Sequence, residues 1–325
     1  MTTSTEPIAQ PRSGSRPPEL RRKVRGTPLT WVKRGGLANL LFLLPLLIIF
    51  GIFSWGPIVE SLFISLQHTN FIVTSWADPL WSNFVFVFND PTFWLAVRNT
   101  GYFALLALIF GYPLPLILAV LMREVKRYRA LFSVLAYLPV VVLPVVSAEL
   151  WKTIFFDASK TGLFNTILGW FGIPAQPWIQ SVTTAMPSIV LEATWAAAGG
   201  TVIIYLAALT SVPPELYDAA EVDGAGIWQK LWHVTLPQLR GVMLVTFILQ
   251  IIGTSQVFLE PFLITQGGPV QSTTTIMLLI YQYAFQSTEG GNNLGGATAL
   301  SLMLAVVLAI FSAVYFRVTR SWSQN

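Results

Sequence analysis

The sequence contains no cysteine, which excludes structural disulfides, thiolate catalysis, thiolate zinc sites and iron–sulfur clusters. Either side of a membrane is compatible with that absence. Histidine occurs only at His68 and His233, so a multi-histidine metal site is excluded as well. No lysine follows a glycine, and a Gly-x-x-x-x-Gly-Lys-Ser/Thr phosphate loop is therefore missing. Charge is scarce too: Asp, Glu, Lys and Arg make up 10% of the chain, against about 25% in soluble domains. Hydrophobic residues reach 54%, and the mean hydropathy is +0.63. This composition excludes a disordered chain, a collagen, a coiled coil and an ordinary soluble enzyme. It implies an all-α polytopic membrane protein.

A bilayer core of about 30 Å takes about 20 helical residues to cross. Six stretches of the 325 residues meet that length: Leu37–Ile58, Thr100–Met122, Leu131–Ala148, Met186–Val212, Gly241–Leu259 and Leu294–Phe316. Only the fourth carries an acid, Glu192. Prolines 45, 113, 115, 139 and 144 fall inside these stretches, where neighbouring helices can satisfy the carbonyls they free. The segment Ser272–Thr288 is uncharged, but its serine, threonines and glutamines suit an interfacial or re-entrant helix better than a span.

Basic residues orient the spans, because Lys and Arg collect on the cytoplasmic side. With six spans and both termini cytoplasmic, sixteen of the nineteen fall inside; only Arg98, Lys152 and Lys160 fall outside. Residues 1–36 then form a basic, mostly disordered cytoplasmic arm. Its position beside a span points to anionic lipid rather than nucleic acid. Residues 37–320 form the membrane domain, with a cytoplasmic loop at 211–240, and 321–325 a short tail. The first apolar run lacks a small-x-small cleavage site and reads as a retained anchor.

The loop at 211–240 is the most informative segment. Pro213 and Pro214 precede Glu215, Asp218 and Glu221, acids that complement a helix N-terminus. Gly224 supplies a left-handed stop. A short helix over Glu215–Asp223 should therefore end there and turn into a second one. Ala219 and Ala220 give the first helix a small-residue face. Tyr217, Ile227, Trp228 and Trp232 add apolar area that needs cover, either from the bundle itself or from a docked partner.

The run Asp218-Ala219-Ala220-Glu221-Val222-Asp223-Gly224-Ala225, followed by Val234-Thr235-Leu236-Pro237, resembles the EAA loop of ABC-importer permeases. Asp218 stands for the usual Glu and Val234 for the usual Ile, so charge and shape are kept. Leu206–Pro213, Gly162–Asn165 with Ile167-Leu168, and Thr265-Gln-Gly267-Gly268-Pro269 resemble further segments of the maltose-type sugar permeases. The resemblance implies a type I ABC-importer permease, multi-pass in a prokaryotic cell membrane. Glu215, Asp218, Ala219, Ala220, Asp223, Gly224, Ala225, Leu236 and Pro237 would form its ATPase-coupling loop. It further implies a second homologous permease, two cytosolic ABC ATPases and an extracytoplasmic solute-binding protein. ATP with Mg would sit on the ATPases; this chain would bind no cofactor or metal and catalyse nothing.

Polar residues inside spans mark pathways or helix–helix contacts. Glu192 and Trp195 share a helix face at i and i+3, a carboxylate beside an indole that suits a sugar. Thr246, Gln250, Gly253 and Thr254 form a stripe that must face protein or water. Glu192, Trp195, Gln250 and Thr254 are thus the expected substrate pathway. Glu149 and Glu260 read as solvated structural acids at external ends, His68 as a loop residue and His233 as part of the coupling hairpin. A di- or oligosaccharide is the expected cargo. Glycerol 3-phosphate or a polyol is the alternative within the same machine, and an ion-coupled secondary transporter using Glu192 is the alternative outside it. A phosphate-bearing cargo would favour a basic residue well inside a span, and none is there.

Overall fold

The structure is a computed structural model that describes residues 36–69, 74–124, 129–286 and 292–322. The basic arm lies outside the described residues apart from Gly36, as do Lys126, Arg127 and 323–325. The chain divides into two units, residues 1–57 and 58–325. In the first, Gly36–Phe50 is α-helical and Gly51–Trp55 makes a π-helical turn. This helix, α1, runs on to Ile64, and none of its described side chains is buried within the chain.

In the second unit a hairpin pairs β1 (Gln67–Thr69) with β2 (Thr74–Trp76), antiparallel, with His68 opposite Ser75. His68 is therefore a strand residue rather than a loop residue. Helix α2 (Ser82–Asn89) leads into α3 at 91–124, where Asp90 caps the start by accepting from Thr92 N at 2.7 Å. A π-helical turn at Ala107–Gly111 precedes Pro113 and Pro115, a common accommodation where proline removes N–H donors from the ladder.

The third predicted span, Leu131–Ala148, is not one helix. It is α4 (Arg129–Val141) and α5 at 144–155, bent by 99° at the intervening residues. Pro144 opens α5, and Leu143 before it is extended at φ −60°, ψ 134°, because a residue preceding proline is pushed out of the helical region. Then follow α6 (Leu163–Trp170), the long α7 (Ala185–Thr210), α8 (Pro214–Val222) and α9 at 227–255. The last helices are α10 (Ile276–Phe285) and α11 (Leu294–Trp322). Among the described residues, counting the bent pair as one span, six helical segments are long and apolar enough to cross a membrane.

The expected helix at Ser272–Thr288 starts only at Ile276, where Thr275 is the N-cap, and its end at 287–288 lies outside the described residues. Thr273, Thr274 and Thr275 are fully buried. Thr273 donates to Gly268 O and Thr275 to Val257 O, each at 2.8 Å, while Asn99 Nδ2 donates to Gln271 O and Thr274 O. These threonine hydroxyls can be buried because each finds a hydrogen-bond partner within the protein. The preceding Gln266 and Gly267 are left-handed, and a Cβ on Gly267 would meet Thr274 Oγ1 at 2.5 Å.

Helices α3 and α7 run through the cores. Phe103 and Ala107 pack on Met186, Ile189 and Val190 in one cluster, Ala119 and Met122 on Val202, Tyr205 and Leu209 in another. A third cluster joins Val87, Phe93 and Ala96 to α10 and α11. Where α4 crosses α7, a Cβ at Gly199 would come within 2.2 Å of Ala136 O, so a glycine there is what allows the close approach.

Candidate functional site

The hairpin at 214–237 is built by short-range chemistry. Proline at the first position and Glu215 in the first turn start α8. At its end Gly224 adopts φ +75°. Ala225 N then donates to Ala220 O at 2.8 Å and Gly224 N to Glu221 O at 3.0 Å, the bond pair of a Schellman motif. Gln229 Oε1 accepts from Gly226 N at 2.8 Å and starts the second helix. Lys230 Nζ reaches Glu221 Oε1 at 2.5 Å across the hairpin. The expected helix and its stop thus form where the sequence places them, within one residue.

What holds the hairpin to the bundle was not visible in the sequence. Tyr217 turns inward instead of adding to the exposed apolar area. Arg123, at the end of α3, donates to its hydroxyl at 2.6 Å and stacks its guanidinium 4.1 Å from the ring centre. The same hydroxyl meets Thr235 Oγ1 at 3.1 Å. A π-helical turn at Leu231–Thr235, containing His233, then leads into Leu236-Pro237 and the rest of α9.

With Tyr217 tucked away, the other apolar residues stay bare. Val222 is 88% exposed, Trp228 74%, Ile227 71% and Trp232 63%. Glu215, Asp218, Ala219, Asp223 and Pro237 are exposed beside them, whereas Ala220, Ala225 and Leu236 are half-buried. The hairpin therefore offers an uncovered apolar crest flanked by carboxylates.

The expected substrate residues do not form one site. Gln250, Gly253 and Thr254 line a cavity of about 500 Å³ between α3, α7 and α9, together with Gly111, Thr194, Phe258 and Glu260. Thr246, in the same stripe, is used up in packing: it meets Tyr205 Oη at 2.7 Å. Glu192 instead faces a smaller cavity of about 170 Å³, lined also by Pro139, Val140, Ser147, Ala196, Leu259 and Glu260. Ser147 Oγ donates to Glu192 Oε1 at 2.6 Å, and Glu192 is 2% exposed. Trp195 lines neither cavity. It packs 5.6 Å from Trp151, in an aromatic cluster with Phe155, Phe156 and Phe164.

Glu260 departs from its expected role. It is half-buried and borders both cavities, and burial pushes its carboxyl above the usual carboxylate range. Glu149 is exposed, as a solvated acid should be. No Lys, Arg or His lines either cavity among the described residues, and no group of acids, histidines or cysteines there could hold a metal ion.

Residues 111–324 match the family model described as "binding-protein-dependent transport system inner membrane component". The lactose transport system permease protein LacF of Rhizobium radiobacter is 32% identical over 86% of this chain and 93% of its own. The arabinooligosaccharides transport system permease protein AraP of Bacillus subtilis is 30% identical over 88% of this chain and 89% of its own. Among solved structures, a bacterial alginate ABC transporter in complex with an alginate pentasaccharide-bound periplasmic protein contains a similar chain. That chain superposes with a TM-score of 0.78 at 29% identity, covering 91% of this chain and 98% of the other.

Proposed function

The chain belongs to the family of binding-protein-dependent transport system inner membrane components, and from that premise we propose that it is the permease subunit of an ATP-driven carbohydrate importer. The fold is that of a type I ABC-importer permease, a multi-pass membrane protein with six spans. The observation that carries the coupling role is the hairpin at 214–237. Its backbone is closed by a Schellman motif, anchored from behind by Arg123, and its outward face is apolar and uncovered. A face of that kind on a cytosolic loop fits a groove on a separate ATPase.

In this reading two ATPases with bound ATP and Mg close on each other, and each pulls on one permease through such a hairpin. The anchoring of Tyr217 to Arg123 passes the movement to α3, and the continuity of 227–255 passes it to α9. Both helices border the larger cavity, so moving them alters the path that Gln250 and Thr254 line. A second, homologous permease completes the path, and a solute-binding protein delivers cargo from outside. The membrane is the cytoplasmic membrane of a prokaryote.

Relatives named for lactose and arabinooligosaccharide transport support a di- or oligosaccharide cargo. The cavity linings agree with a cargo that carries no phosphate, since they offer no basic side chain among the described residues. The test is uptake by the assembled importer in proteoliposomes. Saccharide accumulation that requires ATP inside and survives an uncoupler supports the reading. Uptake that needs no ATP and collapses with an uncoupler would assign the chain to ion-coupled transport.

A further inference from the structure

The smaller cavity carries a charge pattern that carbohydrate import alone does not explain. Glu192 Oε2 is buried without a hydrogen-bond partner, while Oε1 is already taken by Ser147. Leaving a carboxylate oxygen in that state is costly unless a donor reaches it. Glu260 borders the same cavity, and so do Val140 and Val142 at the carbonyl end of α4. The last carbonyls of a helix have no intrahelical donors, and Pro144 has no N–H to give the carbonyl of Val140. A helix C-terminus also carries partial negative charge. Apart from the Ser147 hydroxyl, which donates to Glu192 Oε1, the polar groups lining this space are carboxyl and carbonyl oxygens, and no cation lines it among the described residues.

We propose that the cavity at Glu192 and Glu260 receives a protonated primary amine borne by the saccharide cargo. A primary ammonium has three N–H donors and no acceptor. The unpartnered Glu192 oxygen, the Glu260 carboxyl oxygens and the carbonyls at the end of α4 are acceptors of matching sign. A volume of about 170 Å³ leaves room for little more than one sugar ring, and Pro139, Pro144, Ala148, Ala196 and Leu263 give that ring apolar walls. Among the described residues no group of three or more acids, histidines or cysteines is placed to hold a metal ion. The same lining turns away acidic sugars, unlike the alginate importer whose permease the chain resembles in fold.

This assignment rests on the carbohydrate reading, and the test separates the two. The complete importer is reconstituted in nanodiscs without its binding protein. Saturable binding is measured for a glucosamine disaccharide, its N-acetylated form and a uronic acid disaccharide of the same linkage. The amine form should bind at least tenfold more tightly than the acetylated form, with the uronate weakest. Glu192→Gln and Glu260→Gln should each shrink that ratio towards one; the second variant, at a half-buried position, keeps the test open should the first fail to fold. Equal binding of amine and acetylated forms, or an undiminished ratio in both variants, would overturn the amine site and leave carbohydrate import standing. If no saccharide of any kind binds or is taken up, both readings fall.

Discussion

At the scale of single residues, one buried amide ties together a whole connecting segment. Asn165 Nδ2 donates to the carbonyls of Asp157, Ser159 and Gln176, while its Oδ1 accepts from Gln176 N and Trp178 Nε1. One side chain thus fixes the segment between α5 and α7. Asn165→Ala should cost about 2–3 kcal/mol, since it removes several part-buried hydrogen bonds at once. A drop of several degrees in the thermal midpoint of the detergent-purified protein would register it, and an unchanged midpoint would contradict the role given to this amide. Gly199→Ala makes a second case. Its Cβ would sit 2.2 Å from Ala136 O, so α4 must shift away from α7 at about 1–3 kcal/mol. The same midpoint measurement, with Gly200→Ala as an open-space control, checks whether the loss is specific.

At the scale of elements, the hairpin at 214–237 depends on one backbone conformation. Gly224 at φ +75° closes the Schellman motif, and an L-residue forced there costs roughly 1–2 kcal/mol. Gly224→Pro cannot adopt a positive φ at all. That variant should insert in the membrane at normal levels yet lose the ATPase in affinity purification; retention of the ATPase would contradict the coupling role. This hairpin was legible in advance because its determinants are local: paired prolines, acids in the first turn, a glycine stop. The bend at Leu143 was half legible, since Pro144 was noted but counted as tolerated within a span. A non-helical residue before a proline needs no tertiary information, so the signal was there. The anchoring of Tyr217 by Arg123 was not legible. It joins residues 94 apart, and no spacing in the sequence pairs them. The polar run 272–275 was misread for the same reason: its donors and acceptors lie on other elements, some more than 170 residues away.

At the scale of the whole molecule, composition alone gave the membrane class, and the six spans followed from run lengths and the placement of basic residues. The substrate path was harder, because helical periodicity says which residues share a face but not what that face meets. Glu192 and Trp195 share a face by spacing, yet one borders a cavity and the other joins an aromatic cluster. Glu260, set aside as a solvated acid, borders both cavities. Gln250→Leu should therefore lower the rate of saccharide uptake by the assembled importer several-fold without loss of ATPase binding. Uptake at the normal rate would remove Gln250 from the path.

The central claim is that the bare crest at Val222, Ile227, Trp228 and Trp232 seats on a separate ATPase. A photo-crosslinking amino acid placed at position 228 in cells, followed by irradiation of native membranes and mass spectrometry, tests this most directly. The account predicts a crosslinked product with a phosphate-loop ATPase, diminished when Gly224→Pro is introduced in the same chain. Crosslinks confined to this chain or to lipid would contradict it.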